Sequence, residues 1–260
     1  MAAESLSELL DFARSIARDA GQLTLNYFQK AVKAEFKSDD SPVTIADKEA
    51  EKLIRERIGA SYPSHAILGE EFGETNSGAS HRWIIDPIDG TKSFICGVPM
   101  YAVLVGLEIE GESQVGAVYF PGLDEMVSAA TGMGCHWNGS PCRVSQQDQL
   151  DRAFVAHADT AAFAENGKGE AWQRLQAASY YNAGWCDAYG YALVATGRVE
   201  AMLDPIMNIW DCAPFLPILR EAGGYFGDWH GNERIDKPEA LGTNAALREP
   251  ILELIRDAVG

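Results

Sequence analysis

Residues 82–91 read Arg-Trp-Ile-Ile-Asp-Pro-Ile-Asp-Gly-Thr, and this stretch decides how the rest of the chain is interpreted. The apolar run at its start predicts the end of a buried strand, and Pro87 is expected to stop further strand pairing because it lacks a backbone N–H. Asp86 and Asp89 are therefore held close together, beside a glycine that permits a sharp backbone path and a threonine that can open a helical turn. Two carboxylates next to free backbone N–H groups suit divalent cations and a phosphate group.

The overall composition bounds the classes of protein that are possible. The 260 residues can bury a sizeable core, and hydrophobic and charged contents of 47% and 23% are ordinary for a soluble globular protein. A formal net charge of −17 argues against nucleic acids and anionic membranes as partners. The same charge is a difficulty for an anionic substrate, and bound metal cations would resolve it.

The cysteines and the N-terminal residues bear on location. Five scattered cysteines form no Cys-x-x-Cys pair, and their spacing to the histidines matches no zinc motif. We therefore expect reduced thiols in a cytoplasmic protein. The N-terminal residues are charged and amphipathic, unlike a signal peptide, and no apolar run approaches the roughly 18 residues that span a bilayer.

Two helices are predicted in the N-terminal part of the chain. A Ser-x-x-Glu capping box at residues 5–8 precedes apolar residues at three- and four-residue steps, which predict a helix over 6–32. Thr44 is a candidate N-cap for a second helix over 45–59. Asp47 lies at its third position, where a carboxylate favours the positive end of the helix. On local grounds alone, Asp47 is a capping residue and nothing more.

The rest of the chain alternates between strands and helices. Strands are predicted at 66–69, 82–86, 101–109, 114–120, 125–130, 135–137, 152–158, 199–203, 225–229 and 240–242, and helices at 170–178, 187–197, 210–222 and 249–258. The middle part is predicted to be an antiparallel sheet. In the helix over 210–222, Pro214 lies in the tolerant first turn, whereas Pro217 predicts a kink. No repeat, low-complexity run or linker is apparent, so we expect one domain.

Acidic residues recur where the predicted elements begin or end. Glu70 and Glu71 end a strand, Asp86 and Asp89 follow one, and Asp211 lies in the first turn of a helix. Five carboxylates at such positions can converge on one cleft, and a metal site would follow from that convergence. Taken alone, the adjacent glutamates favour an exposed loop over a metal site.

The segments that carry these acids resemble the inositol monophosphatase superfamily, whose members are Mg²⁺-dependent, lithium-sensitive phosphomonoesterases. The resemblance rests on Gly69-Glu70-Glu71, on residues 83–91, and on Trp210-Asp211 followed by Ala222-Gly223-Gly224, and in element order it covers about residues 5–259. It implies a mixed α and β fold, built as a five-layered α/β/α/β/α sandwich. It also implies a single phosphatase domain over residues 1–260, and a homodimer.

The resemblance assigns roles to individual residues. The ligands of two or three Mg²⁺ ions would be Glu70, Asp86 (bridging two ions), the Ile88 carbonyl, Asp89 and Asp211. The N–H groups of Gly90 and Thr91 would hold the phosphate. Thr91 and Asp47, the latter in a matching Pro-Val-Thr-x-x-Asp segment, would orient the attacking water, and Glu70 would accept its proton directly or through Thr91. Bound metals would neutralise the phosphoryl oxygens, activate the water and steady the leaving alkoxide.

Other classes of protein fit the spacing poorly. A haloacid-dehalogenase phosphatase requires Asp-x-Asp-x-Thr, whereas Asp86 and Asp89 are three residues apart. The sequence contains neither a Gly-x-x-x-x-Gly-Lys-Ser/Thr loop nor a Gly-x-Ser-x-Gly elbow, which disfavours an NTPase and a serine hydrolase. A noncatalytic Mg²⁺-binding regulatory homodimer is the alternative from another class. The complete set of acids, together with Thr91, argues against it.

The second half of the chain bears on the substrate. Residues 185–198, 202–205 and 210–229 look more like the inositol monophosphatase-like histidinol-phosphatases of histidine biosynthesis than like inositol phosphatases. Histidinol phosphate carries an ammonium and an imidazole, with which Asp187 and Asp204, on the leaving-group side by family analogy, can pair. We therefore expect L-histidinol phosphate as the substrate. Inositol 1-phosphate is second, and a bisphosphate nucleotide or fructose 1,6-bisphosphate is third.

Local alternatives and departures accompany this expectation. Asp187 can instead be the N-cap of the helix that it precedes, and Asp204 can instead form a strand-end turn with Pro205. Ser93 replaces an asparagine common in the family. The other departures are Cys96 in the following loop, Pro214 and Pro217 in the helix that bears Asp211, and the segment Ala156–Asp159. These departures bear on which substrate the protein hydrolyses more than on the type of reaction that it catalyses.

Overall fold

The computed structural model describes residues 4–30, 32–37 and 42–256. Its helices are α1 (Leu6–Thr24), α2 (Ile45–Ser61), α3 (Thr91–Ile95), α4 (Thr160–Glu165), α5 (Gly169–Ala178), α6 (Asp187–Ala195), α7 (Ile209–Cys212), α8 (Phe215–Glu221) and α9 (Arg248–Ile255), with one 3₁₀ turn (Leu150–Arg152). Its strands are β1 (Glu35–Phe36), β2 (Pro42–Val43), β3 (Ala66–Gly69), β4 (Gly73–Thr75), β5 (His81–Asp89), β6 (Ala102–Ile109), β7 (Glu112–Phe120), β8 (Glu125–Ala130), β9 (Cys135–Trp137), β10 (Ser140–Cys142), β11 (Phe154–His157), β12 (Tyr181–Gly184), β13 (Ala201–Asp204), β14 (Gly224–Gly227) and β15 (Ala240–Asn244).

Helix α1 begins as predicted and ends early. The Ser5 hydroxyl accepts a hydrogen bond from the Glu8 N–H, and the Glu8 carboxylate accepts one from the Ser5 N–H, which completes the capping box. The predicted extent of 6–32 is wrong at its C-terminal end. The Thr24 hydroxyl donates a hydrogen bond to a carbonyl of the preceding turn, and Gln29 adopts a left-handed φ of 56°. The residues after Thr24 therefore form turns, although their apolar spacing is the spacing of a helix.

Two sheets form the framework. The larger has eight strands in the order β10-β9-β8-β7-β6-β5-β3-β4, and its pairs are antiparallel except for β3 with β5. The smaller has five strands in the order β12-β11-β13-β15-β14, with β11 parallel to both β12 and β13. The antiparallel hairpins predicted for the middle of the chain are confirmed. The short elements β1, β2, β4, β10, β12 and α4 were not predicted.

The helices fill the space between the sheets and cover their outer faces. Alternate side chains of a strand point to opposite faces, so Trp83 and Ile85 of β5 pack against α1 and α2 while Ile84 packs against α6 and α8. Helices α6 and α8 also cover one face of the smaller sheet, and α5 and α9 cover its other face. The layers therefore run α/β/α/β/α, which confirms the predicted fold class.

The middle layer contains a break where one continuous helix was predicted. The chain forms α7 and α8 instead of a single helix over 210–222. Pro214 directly precedes α8, and its missing N–H interrupts the helical hydrogen bonds there. Pro217 lies in the first turn of α8, where backbone N–H groups need no helical partner, so the kink is displaced from its predicted position. No helix of the described residues has both the length and the apolar character needed to cross a membrane.

Candidate active site

An irregularity in β5 brings two acids to one side of the strand's end. Pro87 was expected to end the strand, but β5 continues to Asp89, and its pairing with β6 shifts register between Asp86 and Asp89. The missing N–H of Pro87 thus falls inside the irregular segment, where no ladder bond is lost. The Asp86 carboxylate accepts a 2.9 Å hydrogen bond from the Ile88 N–H, which fixes the turn. Both acids are buried.

A third acid meets them from the middle layer. Asp211 lies in the first turn of α7, and its carboxylate accepts hydrogen bonds from the backbone and side-chain nitrogens of Asn208 at 2.7 and 3.3 Å. One carboxylate oxygen from each of Asp86, Asp89 and Asp211 lies within 4.8 Å of the other two. The convergence that sequence alone leaves open is therefore present for these three acids, which we call the carboxylate cluster.

Glu70 and Glu71 share a lysine at the edge of the same cleft. Lys37 Nζ lies 2.7 Å from Glu70 Oε1 and 2.6 Å from Glu71 Oε1. The Glu71 N–H also donates to the buried carboxylate of Glu51. The exposed-loop interpretation is therefore wrong for this pair, since a salt bridge and a buried acceptor hold it. Burial lowers the pKa of Lys37, but its bonds to the two glutamates outweigh burial and raise the pKa.

Thr91 and Asp47 are linked behind the cluster. The Thr91 hydroxyl lies 3.1 Å from the Ile88 carbonyl and 3.4 Å from one oxygen of Asp47. The other oxygen of Asp47 accepts bonds from the Thr44 N–H and hydroxyl at 2.8 and 2.6 Å, so the capping role is present as well. Burial raises the pKa of Asp47, and its bonds to Thr44 oppose the rise. Asp47 approaches the cleft through Thr91 and is not one of the residues that line it.

The cleft has a volume of ≈ 190 Å³ and extends from the cluster to the smaller sheet. Asp187, Tyr191 and Asp204 line the same cleft, and the charges of Asp187 and Asp204 act on Asp89 of the cluster. Asp204 ends β13 and is only 5% exposed. Among the described residues, neither its Oδ2 atom nor the Tyr191 hydroxyl has a hydrogen bond of good geometry, although the hydroxyl lies near enough to oppose the rise that burial causes in the pKa of Asp204. No ion pair among the described residues involves Asp187 or Asp204, although Lys92 lies near enough to favour the charged form of Asp187. This part of the cleft is therefore acidic and incompletely paired, and burial raises the pKa of both carboxyl groups.

The N-cap interpretation of Asp187 is wrong. Cys186 occupies the cap position, and Asp187 is the first residue of α6. Cys186 takes a left-handed φ of 65°, which is unusual for a residue other than glycine. Its thiol lies 2.9 Å from the Ser93 hydroxyl and 3.5 Å from Asp187 Oδ2, so the helix start is tied to the turn that follows Gly90. The strand-end position of Asp204 beside Pro205 is as predicted.

The electrostatics of the cluster favour a bound cation. Burial, followed by the charges of Glu70, Asp89 and Asp211, raises the pKa of Asp86 well above its usual range. Burial and the neighbouring acids do the same for Asp89, and they raise the pKa of Asp211 to about 7. Hard carboxylate oxygens without a basic side chain among them are the donor set that Mg²⁺ prefers, so the residues fit such an ion.

Some residues of the site were not found from the sequence. Asn208 stands three positions before Asp211, and this Asn-x-x-Asp spacing is a capping signal that would have identified it. Lys37, which contacts Glu70, and Tyr191, which lines the cleft, carry no local signal, because only the folded chain brings them to these positions. The N–H of Ala188, which donates to Asp89 at 2.8 Å, is a backbone group that side-chain patterns cannot reveal.

Comparisons with known proteins agree with this geometry. The model of the inositol monophosphatase family matches residues 5–259. The histidinol-phosphatase of Chlorobaculum parvum is 43% identical over 233 residues, covering 89% of this chain and 90% of that protein. A fructose-1,6-bisphosphatase/inositol-1-monophosphatase of Aquifex aeolicus is 33% identical over 262 residues, covering 97% of each. The solved inositol monophosphatase from Anabaena superposes with a TM-score of 0.86 at 28% identity, covering 97% of this chain and 96% of that one.

Proposed function

This chain belongs to the inositol monophosphatase family and is a phosphatase, and we propose that it hydrolyses L-histidinol phosphate to L-histidinol and phosphate. One observation carries the choice of substrate: Asp187 and Asp204, which form no ion pair among the described residues, line the cleft together with the carboxylate cluster. A relative that is 43% identical is named a histidinol-phosphatase. We propose that residues 1–260 form a single phosphatase domain, since α6 and α8 pack against both sheets.

We propose that the cluster end holds two or three Mg²⁺ ions. The residues that would hold them are the three cluster acids, the Ile88 carbonyl and Glu70. When bound, such ions would neutralise the phosphoryl oxygens, lower the pKa of a water and stabilise the leaving oxygen. The Ile88 carbonyl already accepts the Thr91 hydroxyl and has a second lone pair, which makes it available as a further ligand.

The turn after β5 is proposed to receive the phosphate. Gly90 has a left-handed φ of 78°, a conformation that glycine adopts without steric penalty. This turn directs the chain into α3, so that the N–H groups of Gly90 and Thr91 belong to a helix start, where amide donors lack helical partners. Such donors favour an anion, and the phosphate group supplies one.

The same turn is proposed to orient the attacking water. The Thr91 hydroxyl is directed at the Ile88 carbonyl and at Asp47, so its proton is engaged and its oxygen is left to accept a hydrogen bond. A water that donates to this oxygen turns a lone pair toward phosphorus. Glu70 lines the cleft beside Asp86 and is proposed to accept the water's proton, directly or through Thr91.

The leaving-group end is proposed to recognise cationic groups. A positively charged substrate group that pairs with Asp187 and Asp204 would give the Oδ2 atom of Asp204 a partner and would favour the ionised form of this carboxyl group, which burial otherwise disfavours. Histidinol phosphate offers an ammonium and an imidazole at this end, whereas inositol offers only hydroxyl groups. Inositol 1-phosphate remains the second candidate, because a relative named fructose-1,6-bisphosphatase/inositol-1-monophosphatase matches 97% of this chain.

The decisive experiment measures phosphate release from a panel of esters, with Mg²⁺ and with a chelator. The panel contains L-histidinol phosphate, inositol 1-phosphate, fructose 1,6-bisphosphate and a bisphosphate nucleotide. We expect Mg²⁺-dependent hydrolysis with the highest kcat/KM for L-histidinol phosphate. Equal kcat/KM values for the inositol and histidinol esters would refute the proposed specificity, and full activity in the chelator would refute the proposed metal.

We also propose that the protein is a cytoplasmic homodimer. Exposed aromatic side chains of Phe154, Tyr180 and Tyr181 cluster at the β12 edge of the smaller sheet, which supports an interface there. The five cysteines are free thiols, which supports a reducing compartment. Sedimentation velocity of the protein, with Tyr181→Lys as the disrupting variant, tests the dimer. A wild-type monomer at micromolar concentration would contradict it.

A further inference from the structure

A pair of thiols lies outside the cleft, on the hairpin formed by β9 and β10. The turn of this hairpin is Asn138-Gly139, with φ values of 48° and 80°, as in the two-residue turns that fix hairpin register. That register places Cys142 directly opposite Cys135. Their sulfur atoms are 3.4 Å apart, and either thiol can donate the hydrogen bond between them.

We propose that Cys135 and Cys142 are a modification site at which peroxide forms a reversible disulfide. Opposite residues of an antiparallel pair have Cα atoms about 4.5–5.5 Å apart, which lies inside the range of about 4.4–6.8 Å that a disulfide requires. The sulfur atoms need only approach from 3.4 Å to about 2.05 Å. Side-chain rotation achieves this approach, and the backbone can stay where it is.

The two thiols differ in exposure and in the direction of their pKa shifts, and a disulfide-forming reaction with peroxide requires one accessible thiol and one that attacks afterwards. Cys142 is half-buried on β10, the edge strand of the larger sheet, whereas Cys135 is buried in the core. The hydrogen bond with Cys135, and then the charge of Arg198, lowers the pKa of Cys142. The same hydrogen bond, and then burial, raises the pKa of Cys135. Cys142 is therefore the thiol that meets an oxidant, and Cys135 is the thiol that resolves the product.

The chemistry balances with hydrogen peroxide as the oxidant. The Cys142 thiolate attacks one peroxide oxygen, the O–O bond breaks, and the products are a sulfenic acid and, after proton uptake, water. The Cys135 sulfur then attacks the Cys142 sulfur, the S–O bond breaks, and a second water leaves with the Cys135 proton. Two thiols are oxidised, one peroxide is reduced to two waters, and a thiol reductant reverses the step.

The disulfide would link the edge strand β10 covalently to its neighbour β9. Trp137 of the same hairpin lies under the guanidinium of Arg198, which is 4.6 Å from the ring centre, and Arg198 also bonds Glu125 of β8. A closed hairpin would hold these contacts in place. The acids of the proposed active site lie on other elements, so oxidation is expected to leave phosphatase activity unchanged while it stabilises the chain.

The test treats the full-length reduced protein with hydrogen peroxide and measures intact mass, peptide connectivity and Tm. We expect loss of the mass of two hydrogen atoms, a crosslinked peptide that contains Cys135 and Cys142, and a Tm that rises by roughly 5 °C. Dithiothreitol should reverse all three changes. Added oxygen mass on Cys142 without a crosslink, or a crosslink between other cysteines, would overturn the proposal.

Matched variants separate this site from general oxidation. Cys142→Ser should abolish the crosslink and the Tm rise, and it is preferred to a change at the buried Cys135 because Cys142 is half-buried. Cys96→Ser removes an exposed single thiol and should leave both effects intact. If Cys142→Ser kept the peroxide-induced rise in Tm, the proposal would be wrong.

Discussion

The carboxylate of Asp89 accepts a 2.8 Å hydrogen bond from the backbone N–H of Ala188, which joins the end of β5 to the first turn of α6. Asp187, the preceding residue of that helix, lines the same cleft. One side chain of the carboxylate cluster therefore also positions the helix proposed to recognise the leaving group. This bond therefore connects the proposed metal site to the helix that carries Asp187.

Replacing Asp89 with asparagine should separate charge from position. The side-chain oxygen of Asn can still accept the Ala188 N–H, so α6 should stay in place, while a proposed metal ligand loses its charge. We expect kcat/KM to fall on the order of 100-fold or more at saturating Mg²⁺, with little change in Tm. Phosphate release across a Mg²⁺ titration measures the effect, and Asp89→Ala, which loses the hydrogen bond as well, is the comparison. Full Mg²⁺-dependent activity of Asp89→Asn would mean that Asp89 is not a metal ligand.

Changes at Asp187 and Asp204 should affect one substrate selectively. Asp187→Asn and Asp204→Asn each remove a charge but keep the shape of the side chain. A charge-assisted hydrogen bond contributes about 1.5–3 kcal/mol, so we expect KM for L-histidinol phosphate to rise roughly 10- to 100-fold. Steady-state kinetics on inositol 1-phosphate is the control, because that ester has no cation to lose. Equal losses on both esters would assign these residues to structure instead of specificity.

The convergence of three acids was easier to predict from the sequence than the backbone around them. Asp86 and Asp89 lie in the last part of β5, and Asp211, far away in the sequence, lies in the first turn of α7; these two places meet in one cleft when the layers stack. The path of the chain between Asp86 and Asp89 was predicted less well. A proline can end a strand or lie within an irregular part of it, and the choice depended on whether β6 continued to pair beyond it.

Helix boundaries show the same division between local and tertiary effects. The capping signals of α1 and α2 are local, and both were predicted. The end of α1 depends on Thr24, whose hydroxyl lies 2.9 Å from the Tyr101 hydroxyl, and nothing near Thr24 in the sequence indicates that contact. Tyr191 and the unpartnered oxygen of Asp204 likewise acquire meaning only when α6 lies across β13.

Metal removal should make stability depend on pH in a defined direction. Burial and neighbouring acids raise the pKa of Asp86 and Asp89 well above the usual range and that of Asp211 to about 7. The folded metal-free chain then holds more protons on these groups than the unfolded chain, so its stability falls as pH rises from about 4 towards 7. We expect the Tm difference between Mg²⁺-loaded and chelator-treated protein to widen across this range. A difference that stayed constant with pH would argue against metal binding by the cluster.

His65, which lies outside the carboxylate cluster, should make the stability of the folded chain depend on pH in the opposite direction. Its Nδ1 accepts a 3.0 Å bond from the Trp83 indole N–H, and its Nε2 lies 3.2 Å from a Glu4 oxygen. Burial lowers the pKa of His65, and the charge of the stacked His81 adds to this, while Glu4 opposes it. The unfolded chain therefore binds the proton more readily, so stability is lost as pH falls from about 6.5 through the lowered pKa.

His65→Gln tests this effect. Glutamine offers a carbonyl to Trp83 and an amide to Glu4, but it does not titrate. Urea unfolding at pH 7.5 and pH 5.5 should show a smaller loss of unfolding free energy in the variant than in the wild type. The wild type and His81→Gln, which removes only the stacked neighbour, are the references. Identical pH dependence in His65→Gln and the wild type would show that His65 does not titrate in this range.

The packing of the middle layer can be tested with two glycines. A methyl group at Gly116 of β7 would collide with the carbonyl of Pro214, in the turn between α7 and α8, whereas one at Gly59 of α2 would meet nothing within 4 Å. We expect Gly116→Ala to lower the free energy of unfolding by about 1–3 kcal/mol, since a packed interior resists added volume.

Gly59→Ala should raise the free energy of unfolding by about 0.5–1 kcal/mol, because alanine restricts the unfolded chain. Urea unfolding of both variants provides the comparison. If Gly116→Ala were as stable as Gly59→Ala, the turn after α7 would not rest on β7, and the position of Asp211 beside Asp86 would lose its structural support.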